Sequence, residues 1–208
     1  MSTISQIFPE TNELKRFARN FVTVRIETLE KDVNHCLQPP FAPFPAILYC
    51  MSTVDLLGAL LAGQASKKDP LTRANVDTTQ NSKNYVQSFM GYTEDQTNLI
   101  FEIFRHKLVH LAQPRGLYSF KGKTVAWQYD HGNTPSHLIL QDLMPPQEFY
   151  IKNGWSVKIE QVFTLGITQF VLDIRDSVLR HGGYLDRIET DPDILGKFRK
   201  AIEETYTP

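Results

Sequence analysis

The chain has 208 residues, of which 41% are hydrophobic, and its formal net charge is -1 at pH 7. A chain of this length can bury a sizeable core, so we expect a single globular domain over residues 1–208. The near-neutral charge excludes a general attraction for nucleic acid or an anionic membrane, so either partner would need a local positive patch.

The N-terminal segment does not match a secretory signal. Its sequence, MSTISQIFPETNELKRF, has an acid and a proline where a signal peptide needs a basic start and an unbroken apolar stretch. The two cysteines, Cys36 and Cys50, belong to no CxxC or Cys/His cluster, which argues against a disulfide framework and a zinc ribbon. We therefore expect a cytoplasmic protein.

Hydrophobic spacing predicts two long helices in the first third of the chain. Residues 12–37 have apolar side chains at helical spacing with charges between them, as in an amphipathic helix. After the proline-rich connection LQPPFAPFPA, the window from Pro45 to Gly63 is the most apolar part of the chain. It approaches membrane-spanning length, but Asp55 near its centre is costly in hydrocarbon, so we interpret it as a buried helix without membrane contact.

Two further helices are predicted before the middle of the chain. The polar stretch 63–82 is a connection whose length is typical of functional or mobile loops. A short helix is predicted at KNYVQSFMG, with its final glycine as the stop. The next helix begins with a capping box formed by Thr93 and Gln96, and we expect it to run to about Ala112.

The hydrophobic period changes after this helix. Three short β-prone runs between residues 117 and 141 are separated by turn residues, which predicts a three-stranded antiparallel meander. Helical spacing returns from Val157 to Gly183, and a last helix follows Asp191 as its N-cap. The predicted class is mainly α, a bundle of about five helices with a small antiparallel β-meander inserted at about 117–141.

The segment FRHKLVH, which ends at His110, places polar side chains in an otherwise apolar helix. On an α-helix Glu102, His106 and His110 form one stripe, with Arg105 beside His106. Two histidines at this spacing can reach one metal ion, but the sequence has no HExxH and no further ligand set, so we expect no metal and no cofactor. Alternatively, the Arg and His side chains stabilise the negative end of the helix and have a structural role.

The same segment carries a resemblance to a known family. RHKLVH fits the pattern of Arg, a polar residue, three residues and His, the signature of the HEPN superfamily of small helical-bundle proteins, many of them ribonucleases. The chain resembles uncharacterised bacterial HEPN-like proteins, in which an apolar helix such as ILYCMSTVDLLGALLAG precedes a helix of the FRHKLVH type. The resemblance covers roughly Pro45 to Pro114 and implies a HEPN-like helical bundle.

This resemblance implies metal-independent cleavage of RNA, in which a 2′-hydroxyl attacks the neighbouring phosphorus and leaves a cyclic phosphate. His110 would be the acid and base, Arg105 the phosphate clamp and His106 a positioning side chain. Lys107 and Asp55 are candidate substrate-binding residues. Because a carboxylate in an apolar helix needs a partner, we expect Asp55 to meet Arg105 or a histidine of the motif, or else to bond locally or reach the surface.

The resemblance also implies partners. They are a second copy of the chain with the motif helices juxtaposed, an RNA or nucleotide ligand, and a cognate antitoxin protein if the chain is a toxin. The alternative is a non-catalytic HEPN-like module that binds a nucleotide or a protein, with the motif structural at the dimer interface. Under that alternative His110→Ala would weaken the fold or the dimer without affecting any turnover.

Two other groups of side chains have an interpretation of their own. Trp127 and Tyr129 alternate on a predicted strand and either stack on RNA bases or pack against the helices, the second being the more common role of such a face. The remaining cations near the motif and in the polar stretch are interpreted as solvated surface charges. They are Lys67, Lys68, Arg73, Arg115, Lys121 and Lys123.

Overall fold

The computed structural model describes residues 10–66, 68, 74–105, 108, 113–132, 135–151 and 154–206. The helices are α1 (Thr11–Cys36), α2 (Pro43–Ala62), α3 (Thr78–Tyr85), α4 (Glu94–Ile100), α5 (Ile167–Leu179), α6 (Tyr184–Thr190) and α7 (Pro192–Tyr206). Helices α3 and α4 continue directly into π-helical segments, Val86–Met90 and Phe101–Arg105. The strands are β1 (Tyr118–Phe120), β2 (Lys123–Asp130), β3 (Leu140–Ile151) and β4 (Trp155–Gly166).

Contacts between residues divide the chain into two compact units. Unit 1 contains Met1–Val33, Tyr49–Tyr92 and Asp173–Pro208, and unit 2 contains Asn34–Leu48 and Thr93–Leu172. The two units therefore alternate along the sequence, and each is assembled from separate stretches of chain. The sheet and helix α4, which leads into the RHKLVH motif, belong to unit 2.

The two long N-terminal helices confirm the sequence prediction. Every third or fourth residue of α1 is buried, as expected for an amphipathic helix. These residues are Leu14, Ala18, Val22, Ile26, Leu29 and Val33. Helix α2 is long and apolar enough to cross a membrane by length and composition, yet half of its most apolar window is buried.

Helices α2 and α3 approach each other closely in unit 1. A Cβ atom added to Gly58 would lie 2.6 Å from the Cα atom and 2.7 Å from the backbone nitrogen of Ser82, so only a glycine allows this approach. One turn before this glycine, the Asp55 carboxylate accepts a hydrogen bond of 2.6 Å from the Ser82 hydroxyl. The backbone contact and the hydrogen bond fix the same crossing point.

The predicted helix boundaries around residue 91 are confirmed. Gly91 ends the preceding helical segment with a left-handed backbone, φ 72°, which a residue without a Cβ atom adopts at low cost. Thr93 and Gln96 then form the capping box: the Gln96 amide nitrogen donates to the Thr93 hydroxyl at 3.2 Å, and the Thr93 amide nitrogen donates to the Gln96 side chain at 2.9 Å. Helix α4 therefore begins where the sequence predicts.

The sheet is larger than predicted and has a different topology. Its strand order is β1-β2-β4-β3, with β2 parallel to β4 and the other two pairings antiparallel. The prediction of a three-stranded antiparallel meander ending near 141 is therefore wrong, since the strands continue to Gly166. The helix predicted from Val157 is also wrong in its first half, where the chain forms β4, and helix α5 begins only at Ile167.

These strands change the class of the protein. It is a helix-rich mixed α/β protein with a four-stranded mixed sheet, so the expected mainly α class describes its helical content but not its sheet. The buried residues of β4 are concentrated at its C-terminal end, from Phe163 to Gly166, where the strand pairs with β2.

Candidate functional site at the end of helix α4

The structure describes two residues of the RHKLVH motif, the buried Leu108 and the polar Arg105. Arg105 is the last residue of the π-helical segment Phe101–Arg105, and it is half-buried. Its guanidinium carbon lies 5.9 Å from the ring centre of Phe101, one turn earlier on the same helix. A cation over an aromatic face is held by electrostatic attraction, so the direction of this guanidinium is restricted.

Three predicted site residues of the motif fall outside the part of the chain that the structure describes. They are His106, Lys107 and His110. Glu102, the first residue of the predicted stripe, lies in the π-helical segment, in which hydrogen bonds span five residues.

Glu102 has a charge partner in the chain that follows the motif. Its carboxylate lies 3.8 Å from the guanidinium of Arg115, and both side chains are about one-third exposed. The Arg115 guanidinium also lies 5.3 Å from the ring centre of Tyr118, at the start of β1. Within the described residues, no group of three or more His, Cys, Asp or Glu side chains is arranged to hold a metal ion. The ion pair gives Glu102 an alternative role to metal binding.

The backbone of Arg115 connects helix α4 to the sheet. Its amide nitrogen donates to the carbonyl of Ile103 at 2.8 Å, within the π-helical segment. Its own carbonyl accepts a hydrogen bond from the indole nitrogen of Trp127 on β2. Residue 115 therefore fixes the helix end against the central strands, a role that the interpretation as a solvated charge missed.

Trp127 packs inside an aromatic cluster of unit 2. Its ring centre lies 5.5 Å from that of Phe104 and 6.0 Å from that of Phe44, both in edge-to-face geometry. Together with the hydrogen bond to the carbonyl of Arg115, these contacts correspond to the packing alternative predicted for this side chain. Phe104 immediately precedes Arg105, so the packing of Phe104 in this cluster also holds the backbone at the start of the motif.

The cluster continues along β2 to a more exposed end. The ring centre of Tyr129 lies 5.9 Å from Phe44 and 5.4 Å from His131, and His131 lies 4.8 Å from Phe41. Phe41 is 56% exposed. Sequence analysis found Tyr129 but not Phe41 or Phe44, because a proline-rich connection gives no periodic signal that would assign its aromatic residues to a face.

Asp55, the other candidate binding residue, belongs to unit 1 and is half-buried. Ser82 on helix α3 donates to its carboxylate at 2.6 Å. The same hydroxyl oxygen also lies 2.9 Å from the carbonyl oxygen of Thr78, one turn earlier on α3. The sequence predicted that Asp55 needs a polar partner but did not identify Ser82, because α2 and α3 are brought together by packing.

Two of the predicted surface lysines have carboxylate partners. Lys121 is paired with Asp95, and the Lys123 ammonium donates to Asp142 at 2.7 Å. The hydrogen bonds from Lys123 and from Gln161 hold the pKa of the Asp142 carboxyl below its usual value. These lysines are neutralised locally, which agrees with their interpretation as surface charges; Lys67 and Arg73 lie outside the described residues.

Around Arg105 the described structure therefore provides a directed guanidinium, a neutralised Glu102 and Arg115 pair, and an aromatic cluster that begins at Phe104. A guanidinium is always charged and donates hydrogen bonds in a planar fork that suits phosphate oxygens. Comparison of the chain with protein-family models, with curated proteins and with solved structures found no match.

Proposed function

We propose that the protein is a metal-independent endoribonuclease of the HEPN type, in which Arg105 holds the scissile phosphate and His110 transfers protons. The observation that carries this proposal is the position of Arg105. Its guanidinium is half-buried and directed by the Phe101 ring at the end of a capped helix, five residues before His110 in the sequence. The reaction needs a cation that binds the phosphate and a histidine that transfers protons.

In the proposed reaction the 2′-hydroxyl oxygen of a ribose attacks the adjacent phosphorus. The bond from phosphorus to the 5′-oxygen of the next nucleotide breaks, and a 2′,3′-cyclic phosphate remains. One histidine removes the proton from the 2′-hydroxyl and another group protonates the leaving oxygen, a pair of roles that His110 and His106 fill between them. Histidine suits both because its usual pKa is about 6.5.

The other residues of the motif region support binding. Arg105 offsets the charge that develops on the phosphate, and Lys107 provides a second cation on the same segment. The aromatic cluster next to Arg105 supports the helix end mechanically through Phe104 and Trp127. Asp55 is placed in this proposal only as an outlying binding residue, since its described partner is Ser82.

The family resemblance extends the proposal to partners and location. The protein would act in the cytoplasm as a homodimer in which the two motif helices face each other, so that two half-sites form one cleft. A cognate antitoxin would restrain the activity if the chain is a toxin. A dimer of this kind concentrates the positive charge of two motifs, which a chain of net charge -1 otherwise lacks.

The test is cleavage of single-stranded RNA by the purified full chain in the presence of EDTA. We expect His110→Ala to lower the rate by about 10²- to 10⁴-fold, the usual contribution of a general acid or base. Arg105→Ala should lower it by about 10²- to 10³-fold, as for other groups that stabilise transition-state charge. His181→Ala is the matched control, because His181 is a fully exposed histidine in unit 1.

A specific observation favours a second candidate, the non-catalytic module. The arginine of the motif and the next arginine along the chain already have intramolecular partners: Arg105 lies over Phe101, and Arg115 pairs with Glu102. If those contacts are the purpose of the motif, Arg105→Ala and His110→Ala should lower the melting temperature or weaken the dimer, and the wild type should leave all RNAs intact. Activity in the wild type that is lost in His110→Ala at unchanged stability would exclude this candidate.

A further inference from the structure

A cavity in unit 1 lies where helices α2, α3 and α7 meet. Gly58 is the contact between α2 and α3, and a Cβ atom added to Gly63, just after α2, would lie 3.0 Å from the Cα atom of Lys197 on α7. The second half of α2 therefore lies close to both neighbouring helices. Between them remains a cavity of about 230 Å³, which we call the α2–α3–α7 pocket. Its lining residues are Gly58, Leu61, Ala62, Asn81, Asn84 and Lys197.

The side-chain amide of Asn81 is the feature that points to a ligand. Its Nδ2 atom is buried and has no hydrogen-bond partner among the described residues. The carbonyl carbon of Asn81 would lie 2.9 Å from a Cβ atom added to Gly58, so the packing of α2 fixes the backbone that carries this amide. Buried donors are nearly always paired, either within the protein or with a bound molecule. An unpaired donor in the wall of a cavity therefore indicates a bound molecule that supplies an acceptor.

Two further hydrogen-bond donors line the pocket. The Oδ1 atom of Asn84 accepts a 2.7 Å hydrogen bond from the side chain of Gln80, so the amide nitrogen is the donor that Asn84 can offer. The Lys197 ammonium lies 2.7 Å from the carboxylate of Asp193, an exposed ion pair that uses one of its three N–H groups. Because the Lys197 side chain is half-exposed, it lies at the mouth of the pocket.

These groups fit a carboxylate. Amide and ammonium N–H groups donate to carboxylate oxygens, and among the described lining residues there is no Asp or Glu that would attract a cation. One lysine and two neutral amides match a single negative charge, whereas phosphate is more often bound by arginine forks or helix N-termini. The side chains of Leu61 and Ala62 provide an apolar wall for a hydrocarbon part. The cavity is smaller than the roughly 300–1,000 Å³ of sites for drug-sized ligands, so the ligand is small.

We infer that the α2–α3–α7 pocket binds a small monocarboxylate. Its oxygens accept hydrogen bonds from Asn81, Asn84 and Lys197, and its hydrocarbon part packs against Leu61 and Ala62. The ligand thereby supplies the acceptor that the buried Asn81 amide lacks. All the lining residues belong to unit 1 and none belongs to the RHKLVH motif, so this site is independent of the proposed ribonuclease activity.

The test is a titration of the full chain with butyrate, followed by two-dimensional ¹H–¹⁵N NMR spectra. Butyrate has one carboxylate and a short hydrocarbon chain. We expect saturable binding with a dissociation constant between about 0.1 and 10 mM, a range suited to a ligand with few contacts. The side-chain amide signal of Asn81, identified by its absence in Asn81→Ala, should shift during the titration. Parallel titrations with n-butylammonium and with inorganic phosphate should show no binding.

Variants of the pocket locate the site. Lys197→Met should raise the dissociation constant for butyrate at least about tenfold, because a hydrogen bond to a charged group is lost. Asn81→Ala should have a similar effect, and the Nδ2 group that it removes has no partner within the described fold. Lys200→Met is the matched control, because Lys200 lies on the same helix and its side chain is 43% exposed, against 44% for Lys197, but it does not line the pocket.

Four results would overturn this inference. An absence of shifts at about 50 mM butyrate, well above the expected dissociation constant, would mean that water fills the pocket. Equal affinity in the wild type, Lys197→Met and Asn81→Ala would place the binding site elsewhere. Equal weakening in Lys197→Met and Lys200→Met would show a general effect of charge. Phosphate or n-butylammonium that binds as tightly as butyrate would show that the ligand is not a carboxylate with a hydrocarbon part.

Discussion

Replacing Gly58 by alanine tests the packing of unit 1, because this change usually stabilises a helix but should destabilise this protein. Alanine at an interior helical position normally stabilises a helix relative to glycine by about 0.5–1 kcal/mol. At Gly58 the new Cβ atom would lie 2.6 Å from the Cα atom of Ser82 and 2.9 Å from the carbonyl carbon of Asn81. Backbone atoms of α3 must therefore move away.

The size of the effect follows from these distances. An ordinary contact requires about 3.4 Å or more, so the two helices must separate by about 1 Å at their crossing point. Overpacking of this kind costs about 1–3 kcal/mol. The movement also stretches the 2.6 Å hydrogen bond from Ser82 to the Asp55 carboxylate, and such bonds contribute about 1.5–3 kcal/mol. After the gain in helix propensity, we expect a net loss of about 1.5–5.5 kcal/mol if the hydrogen bond is lost.

The assay is urea denaturation followed by far-ultraviolet circular dichroism. Gly196→Ala is the matched control, because Gly196 lies inside helix α7 and a Cβ atom added there meets nothing within 4 Å. We expect Gly196→Ala to raise the free energy of unfolding by about 0.5–1 kcal/mol, the opposite sign from Gly58→Ala. If Gly58→Ala is as stable as the wild type or more stable, the close approach of α2 and α3 is incorrect.

The remaining predictions concern the buried tyrosines of unit 1. Tyr184→Phe should raise the free energy of unfolding by about 1 kcal/mol, because the buried Tyr184 hydroxyl has no hydrogen-bond partner among the described residues. Tyr85→Phe should lower it by about 1 kcal/mol, because the 2.8 Å hydrogen bond to Ser177 is lost. Thermal denaturation of both variants gives the comparison. Burial raises the pKa of Tyr85, Tyr184 and Tyr92 above the ordinary value, and for Tyr92 the carboxylate of Asp173 adds to the effect. A tyrosine whose pKa is higher in the folded than in the unfolded protein contributes stability below about pH 10, and this contribution is lost as the pH rises. The free energy of unfolding should therefore fall above about pH 10. A value that is independent of pH from about 9 to 12 would contradict this.

Local sequence signals predicted the helices that local interactions define. The stripe of α1 and the capping box of Thr93 and Gln96 depend on residues within one or two turns, and both are confirmed. Strand β4 was missed although Trp155, Val157 and Ile159 alternate with polar residues. The cause is that Val162 and Leu165 also fit a helical spacing, and the pairing that decides the matter comes from distant strands.

The candidate site was predictable only in part for the same reason. Arg105 was identified from the motif, but its contact with Phe101 depends on a π-helical segment that no spacing rule indicates. The role of Arg115 depends on Trp127, which is twelve residues away and on a strand. Contacts of this kind follow from tertiary packing, which sequence spacing does not encode.

The most direct test of the central claim is the chemistry of the cut. A single-stranded RNA should be incubated with the full chain in EDTA, beside the same RNA with one 2′-deoxyribose at the preferred cleavage position, and the new ends identified by mass spectrometry. The account predicts a 2′,3′-cyclic phosphate in the first RNA and no cut at the deoxy position in the second. Cleavage at the deoxy position, an RNA left whole by the wild type, or equal cleavage by His110→Ala would contradict it.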